Sequence, residues 1–183
     1  MPKVLYSEHP PADAVAMEPK LEAVVSNLTS TAYRMLAEGQ EIAPVAFVGS
    51  LLRGEMEALL LRMPDRQGKE ISVEMIRALC AESSADFVIL FTEGWGLPAS
   101  LMEKYEEILE QYGSISNCPH RVDTFVVSVE TPAARWTGFA VLKPSAQGPG
   151  REPEEPLQMH YQGASRGGNG SLFSDFFSKT LRH

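Results

Sequence analysis

The sequence predicts a single globular domain of the α/β or α+β class, in which helices cover a mixed sheet of about five strands. An unbroken apolar run at residues 87–91 is typical of a strand buried on both faces. Amphipathic helical patterns lie on both sides of that run along the chain. Residues 122–143 alternate apolar and polar side chains about a short turn, as the two strands of a hairpin do.

The chain begins with an arm that leads into a helix. Residues 1–17 are rich in proline, and we expect an extended arm that is ordered only where it touches the body. From Glu18 the apolar residues recur at spacings of three and four, which predicts a helix packed on the sheet. Gly39 is the expected end of that helix.

Two strands and a second helix are predicted to lead to the central run. Residues 42–48 and 57–63 are expected to pair as a hairpin, with a short helix at 57–63 as the alternative because leucine favours strands only weakly. Residues 64–68 form a surface turn, and Ser72 is the expected N-cap of the next helix. The order strand, helix, strand predicts a right-handed crossover onto the same sheet.

A third helix and a second hairpin complete the predicted domain. The pattern of residues 98–112 predicts a helix that Gly113 ends. Strands at 122–130 and 135–143 form the hairpin. The globular domain is therefore expected to span residues 18–143.

The composition changes after that hairpin. Proline, glycine and charged residues dominate residues 144–183, which predicts a flexible C-terminal region. A short edge strand at 157–161 and a short apolar helix at 172–178 are expected within it. The apolar helix is expected to dock on the body or on another chain. Its aromatic residues are Phe173, Phe176 and Phe177.

The composition also restricts the partners and the location. The formal net charge is −8, whereas nucleic-acid backbones and anionic membrane surfaces require clustered Lys and Arg, so neither partner is predicted. Two cysteines do not make a disulfide framework. No apolar run reaches signal-peptide length at the N-terminus or approaches the roughly 20 residues that span a bilayer. We expect an acidic, soluble, cytoplasmic protein.

No motif in the sequence names a reaction. The chain contains no G-x-x-x-x-G-K-[ST], no G-x-G-x-x-G after a strand, no H-E-x-x-H and no G-x-S-x-G before a helix. No cofactor is predicted. Candidate sites therefore have to come from the placement of single residues.

The first candidate lies where the central run ends. Glu93 and Trp95 follow residues 87–91, and ligands often bind beyond the ends of sheet strands. A carboxylate beside an indole can serve as a general base or bind a polar ligand. The favoured alternative is that Trp95 caps the core while Glu93 is solvated at the rim.

The second candidate is a cysteine and a histidine in the loop before residue 122. Cys118 and His120 could both reach a metal ion, but one such pair supplies only two ligands. The other available histidines, His9 and His160, lie in segments that the pattern does not place. The favoured alternative is an ordinary loop that leads into a strand. Cys80 is expected to be a small core residue of the second helix.

Several further residues are candidates for binding rather than catalysis. Arg121 enters from the same loop, and Trp136 follows the hairpin turn. An exposed tryptophan would indicate a binding face, although a core tryptophan is commoner. Together with Glu93 and Trp95, and with the aromatic tail residues, they form the predicted binding set.

Two hypotheses of function follow. The first is a non-catalytic binding or accessory protein that acts through contacts with a protein partner or with itself, supported by the absence of a catalytic motif and by the apolar tail. The second is a small hydrolase in which Glu93 acts as acid–base residue with His120 and Arg121 nearby. The second requires the strand beginning at Val122 to run antiparallel to the central strand, because only then does the loop lie beside Glu93.

The chain also resembles a loose group of uncharacterised small bacterial and phage proteins. The similar stretches are Phe91-Thr92-Glu93-Gly94-Trp95, Cys118-Pro119-His120-Arg121 and residues 126–140. Members of the group carry a histidine–proline–acid–arginine turn, and this chain departs from it by having Cys118 and His120 at the two variable places. The resemblance implies a similar fold and adds no activity, cofactor or partner.

Overall fold

The computed structural model describes residues 15–163 and 175–177. The fold is α+β, with one antiparallel sheet and helices on its faces. The α-helices are α1 (Pro19–Ala37), α2 (Arg66–Glu82) and α3 (Tyr105–Tyr112). The strands are β1 (Val45–Ser50), β2 (Glu55–Leu60), β3 (Phe87–Gly96), β4 (Val122–Glu130), β5 (Arg135–Pro144), β6 (Arg151–Pro153) and β7 (His160–Gly163).

The strand order is β2-β1-β3-β4-β5-β6, and β7 also pairs with β5. Every pairing in this part of the chain is antiparallel, so the prediction of a mixed sheet of about five strands is wrong in both type and number. β2 and β3, which α2 connects, do run parallel to each other, because both are antiparallel to β1. β1 lies between them, and no parallel pair forms. The predicted hairpins β1–β2 and β4–β5 are confirmed.

One face of the sheet is covered by α1. The helix buries a stripe at spacings of three and four, and Glu38 and Gly39 close its end, as the sequence pattern predicted. Phe91 is the centre of the opposing sheet face, with its ring 5.4 Å from that of Phe47 and 5.1 Å from that of Phe125. The buried apolar residues of α1 are Leu21, Val25, Ala32 and Leu36.

The opposite face is covered by α2. Ile76 and Cys80 pack there against Val88 and Leu90 of β3. The helix begins earlier than predicted, because the carboxylate of Asp65 accepts the N–H of Gly68 and caps it. The predicted cap, Ser72, lies inside the helix, where its hydroxyl donates to the carbonyl of Arg62 at 3.2 Å.

A smaller apolar cluster lies at the end of β3. A 3₁₀ turn (Ala99–Lys104) precedes α3, so the predicted helix over 98–112 is divided into two types of helix. Leu97, Ile108 and Cys118 are buried together in this cluster. Gly113 ends α3 with a φ of 72°, a conformation that glycine adopts without strain. None of the helices in the described part of the chain combines the length and apolar composition needed to cross a bilayer.

The folded part extends beyond residue 143, where the sequence placed its end. β6 and β7 both pair with β5, and the segment between β5 and β6 lies against the C-terminal end of α1. Gly150 approaches α1 so closely that a Cβ there would overlap the carbonyl oxygen of Leu36. Of the helix predicted at 172–178, only residues 175–177 are described, and they form a turn. Residues 1–14 of the arm predicted over residues 1–17 also lie outside the described residues.

We expect Gly150→Ala to destabilise the fold by roughly 1–3 kcal/mol, because the added methyl group forces α1 and the β5–β6 segment apart. Urea unfolding measures the loss. Gly94→Ala is the matched control, since the nearest atom to a Cβ there is 3.9 Å away and the expected change is below about 0.5 kcal/mol. Equal stability of the two variants would contradict the close approach at Gly150.

Candidate functional site

The antiparallel register brings the loop before β4 to the end of β3. Trp95 is opposite Asp123, and Gly96 is opposite Val122. Arg121 therefore lies directly beside the exit of the central strand. The strand direction that the hydrolase hypothesis required is the one observed.

Trp95 is the most exposed aromatic side chain at this exit, with 55 % of its surface accessible. The guanidinium of Arg121 lies over the indole at 5.4 Å from the ring centroid. The same guanidinium donates from Nη1 to the carbonyl of Ser116 at 2.8 Å, which fixes its position. A cation–π contact at an exposed site contributes roughly 0.5–1 kcal/mol, enough to orient the indole while leaving its surface accessible.

An open groove of about 500 Å³ lies beside Trp95. Tyr105 is 40 % exposed and forms another aromatic part of its wall. The remaining lining residues are Leu109, Gly113, Ser114, Ile115 and Ser116. The surface thus combines aromatic and apolar area with hydroxyl groups, a composition suited to a polypeptide rather than to a highly charged ligand.

A second open groove of about 520 Å³ is lined in part by Arg121. Its walls carry both signs of charge: Arg121 and Lys143 are basic, whereas Asp123 and Glu154 are acidic. Mixed charge of this kind does not select a single ionic ligand. We therefore treat the Trp95 groove as the candidate site.

Glu93 takes part in the structure of the fold rather than in this groove. Its Oε2 is 2.7 Å from Nη2 of Arg151, and its Oε1 accepts the backbone N–H of Ile42. The side chain is 19 % exposed. The carboxylate thereby joins β3 to β6 and to the segment between α1 and β1. The Glu93 carboxylate is therefore neither solvated at the rim of the sheet nor free to act as a general base, the two roles that the sequence suggested.

Glu93 and His120, the proposed catalytic pair, lie apart along the β3–β4 ladder. Glu93 is opposite Phe125, five positions beyond His120 in sequence. His120 is exposed in the turn before β4, and no hydrogen bond or ion pair in the described residues joins it to Glu93. The register supplies the required strand direction without bringing the two groups into contact.

Cys118 and His120 occupy different environments. Cys118 is fully buried in the small cluster with Leu97 and Ile108, whereas His120 is exposed. In the described part of the chain, no three His, Cys, Asp or Glu side chains converge as a metal site would require. The metal alternative gains no support from this geometry. Cys80 is buried as well, and burial, with a smaller effect of Glu130, raises the pKa of its thiol to about 12.

Trp136 belongs to the core. It is 6 % exposed, packs on the α1 face and donates its indole N–H to the carbonyl of Val15 at 2.9 Å. The alternative of a core tryptophan is therefore the observed one. The alternation of apolar and polar residues in β5 could not decide between an exposed and a core tryptophan, because it does not show which face of the sheet a helix covers.

The aromatic tail is partly buried in the body. Phe176 is 4 % exposed, and Phe177 packs partly buried beside it against the α2 face. Phe173 lies outside the described residues. The sequence predicted an exposed binding element here, whereas Phe176 packs into the core and Phe177 packs against it.

Glu130 holds that tail in place, a role that sequence reasoning did not identify. Its carboxylate is 4 % exposed and accepts the backbone N–H groups of Asp175 at 3.0 Å and of Phe176 at 2.8 Å. Burial raises the pKa of Glu130, and the two donors together with Arg135 lower it in part. Nothing near Glu130 in sequence indicates a contact with a segment 45 residues away.

We expect the contribution of Glu130 to stability to decrease as the pH rises. The folded protein keeps a proton on this carboxyl where the unfolded chain has lost it, so the contribution is complete below about pH 4.5 and is lost through the raised pKa. Urea unfolding of wild type and Glu130→Gln at several pH values measures the decrease, which the variant should lack. The exposed Glu107→Gln on α3 is the control, and parallel profiles for all three proteins would contradict the assignment.

We expect Glu93→Gln to lower the free energy of unfolding by about 1–2 kcal/mol, because the amide loses the charge-assisted contact with Arg151. Asp123→Asn is the control: its contact with Arg151 is 3.5 Å and its side chain is 47 % exposed, so the expected loss is below about 0.5 kcal/mol. Denaturant unfolding separates the two. Wild-type stability in Glu93→Gln would show that the carboxylate has no structural role.

Comparison of the chain with known protein families, with curated proteins and with solved structures finds no match. The resemblance to small bacterial and phage proteins therefore stays a prediction.

Proposed function

We propose that this protein is a non-catalytic binding or accessory protein that acts through protein–protein contacts at the surface around Trp95. The observation that carries the proposal is an indole left 55 % exposed on a strand whose preceding five apolar residues, 87–91, are all buried. Exposure of a large apolar ring costs free energy unless another molecule covers it. Arg121 favours one orientation of the indole, which lowers the cost of ordering this side chain when a partner binds.

The kinds of residue around the groove support a polypeptide partner. Tryptophan, tyrosine and arginine are the residues that most often dominate binding energy in protein interfaces, and Trp95, Tyr105 and Arg121 lie together here. Ser114 and Ser116 provide hydroxyl groups at the rim. A partner segment with one apolar or aromatic anchor and a hydrogen-bonding backbone fits this combination.

The hydrolase alternative receives no specific support. Glu93 is engaged by Arg151 and by the N–H of Ile42, and a carboxylate held as an ion pair is a weak general base. His120 has no orienting partner among the described side chains. We therefore retain protein binding as the proposed function.

Selection of a displayed random-peptide library on the immobilised full chain tests the proposal. Peptides enriched on the wild type should bind Trp95→Ala at least about tenfold more weakly, and Tyr105→Ala more weakly by a smaller factor. Ile71→Ala is the matched control, because Ile71 is 54 % exposed on α2, away from the groove. Isothermal titration calorimetry supplies the dissociation constants.

Two results would overturn the proposal. The first is the absence of any enriched peptide on the wild-type protein. The second is a set of peptides whose affinity is the same for wild type, Trp95→Ala and Ile71→Ala. Circular dichroism of each variant shows whether a lost affinity reflects a lost fold.

A further inference from the structure

The outer edge of β2 has no partner strand among residues 15–163 and 175–177. β2 pairs with β1 on its inner side only, and all of its residues except Leu59 are exposed. An open edge exposes backbone N–H and C=O groups that can pair with another strand. Natural edges are commonly protected by charged side chains, especially lysine, by proline or by a bulge. Glu55–Leu60 contains no proline, bulge or lysine, and its two charged residues, Glu55 and Glu57, lie on the face opposite to that of Met56, Ala58 and Leu60.

The direction of the backbone groups on β2 follows from one hydrogen bond. Leu61 donates its N–H inward to the carbonyl of Pro44 at 2.8 Å. Because successive residues of a strand alternate in direction, residues 57 and 59 also point inward. Met56, Ala58 and Leu60 therefore present their N–H and C=O groups to the open edge.

The same three residues share one face of the sheet. Ala58 is opposite Phe47 and Leu60 is opposite Val45, both of which belong to the core beneath α1. That core does not extend over β2: Met56 is 46 % exposed and Leu60 is 71 % exposed. The edge thus combines free backbone groups with uncovered apolar side chains.

We propose that two copies of this chain associate by antiparallel pairing of their β2 strands about a two-fold axis at Ala58. Met56 of one copy then lies opposite Leu60 of the second copy, and the reverse. Each outward-facing pair exchanges both of its N–H···O bonds, which gives about six backbone hydrogen bonds. The two exposed apolar pairs cover each other on the same face.

Charge disfavours the register centred on Glu57 relative to this one, in which the two Glu57 side chains are diagonal rather than direct neighbours. Pairing about Ala58 places Glu57 opposite Leu59 of the second copy, and Glu55 opposite Leu61. Pairing about Glu57 would set the two Glu57 carboxylates in direct opposition and would leave Leu60 beyond the strand of the second copy. Like charges directly opposite each other destabilise a sheet, so the Ala58-centred register is favoured.

Registers centred beyond Ala58 are less favourable for a different reason. Pairing about Leu59 would set Met56 opposite Arg62, outside the β2 strand of the second copy, and would pair Leu60 with the small Ala58. Only the Ala58-centred register keeps all three outward-facing residues within both strands. This self-association uses a surface other than the Trp95 groove and does not rest on the proposed function.

Light scattering during size-exclusion chromatography of the full chain, from about 1 to 100 µM, measures the association. We expect a dimer whose dissociation constant rises at least about tenfold in Leu60→Lys, because a charged lysine replaces the apolar side chain that covers Met56 of the second copy. Ala58→Pro should have a similar effect, because it removes an N–H that faces outward and spares the pairing with β1. Leu52→Lys is the control, since Leu52 is 92 % exposed in the turn beside β2.

Cysteine cross-linking tests the register without disturbing the strand. In hydrogen-bonded antiparallel pairs the Cα atoms lie about 5.5 Å apart, within disulfide range, so Ala58→Cys should form an intermolecular disulfide under mild oxidation. Met56→Cys should not, because the two residues 56 lie four positions from each other in the pairing. The native cysteines, Cys80 and Cys118, are both buried and contribute little background.

A monomer at every concentration would overturn the proposal, whether the edge is open or is covered by another part of the same chain. A dimer that Leu60→Lys leaves unchanged, or cross-linking that is faster at Met56→Cys than at Ala58→Cys, would also overturn it. Trp95→Ala should dimerise as the wild type does. That result keeps a failure of this proposal distinguishable from a failure of the proposed binding function.

Discussion

Burial of β3 on both faces is the constraint on which the rest of the structure depends. Phe87, Ile89 and Phe91 pack under α1, whereas Val88 and Leu90 pack under α2. A strand that is apolar on both sides requires a helix on each face and a strand at each edge, and the order β2-β1-β3-β4-β5-β6 supplies the neighbours. β3 extends beyond the part that the two helices cover, so its last residues are not buried and Trp95 is exposed.

Carboxylates fasten the segments around that strand. Asp86, just before β3, accepts the N–H of Leu51 at 2.9 Å and so anchors the β1–β2 turn. Glu93 binds Arg151 and the N–H of Ile42 at the other end of the buried run. Glu130 of β4, which lies opposite Val88 of β3, accepts the backbone N–H of Phe176 in the tail. The carboxylates of Asp86 and Glu93 make part of the net charge of −8 structural, although composition alone suggests only a solubilising surface.

Local patterns predicted the helices and hairpins but not the contacts that complete the fold. The period of α1 and the alternation of β4 and β5 depend on neighbouring residues, and these elements were predicted correctly. The β5–β6 segment was interpreted as flexible because glycine and proline are common in linkers, whereas Gly150 is needed for the close approach to α1. The ion pair of Glu93 with Arg151 joins residues 58 positions apart, and no local pattern encodes it. Trp95 was predicted as a candidate because the end of the buried run could be located from sequence.

Among the described residues, two surfaces are left uncovered: one at the exit of β3 and one at the outer edge of β2. At the exit of β3 the aromatic side chain of Trp95 is exposed, and a side chain of a partner can cover it. At β2 the outward-facing backbone N–H and C=O groups lie beside the exposed side chains of Met56 and Leu60, and another strand can form hydrogen bonds with them. Because β1 separates β2 from β3 in the sheet, pairing at β2 leaves the β3–β4 ladder that positions Trp95 unchanged. A dimer joined at β2 would then present two copies of the Trp95 surface, and two linked sites bind a repeated partner more tightly than either site alone.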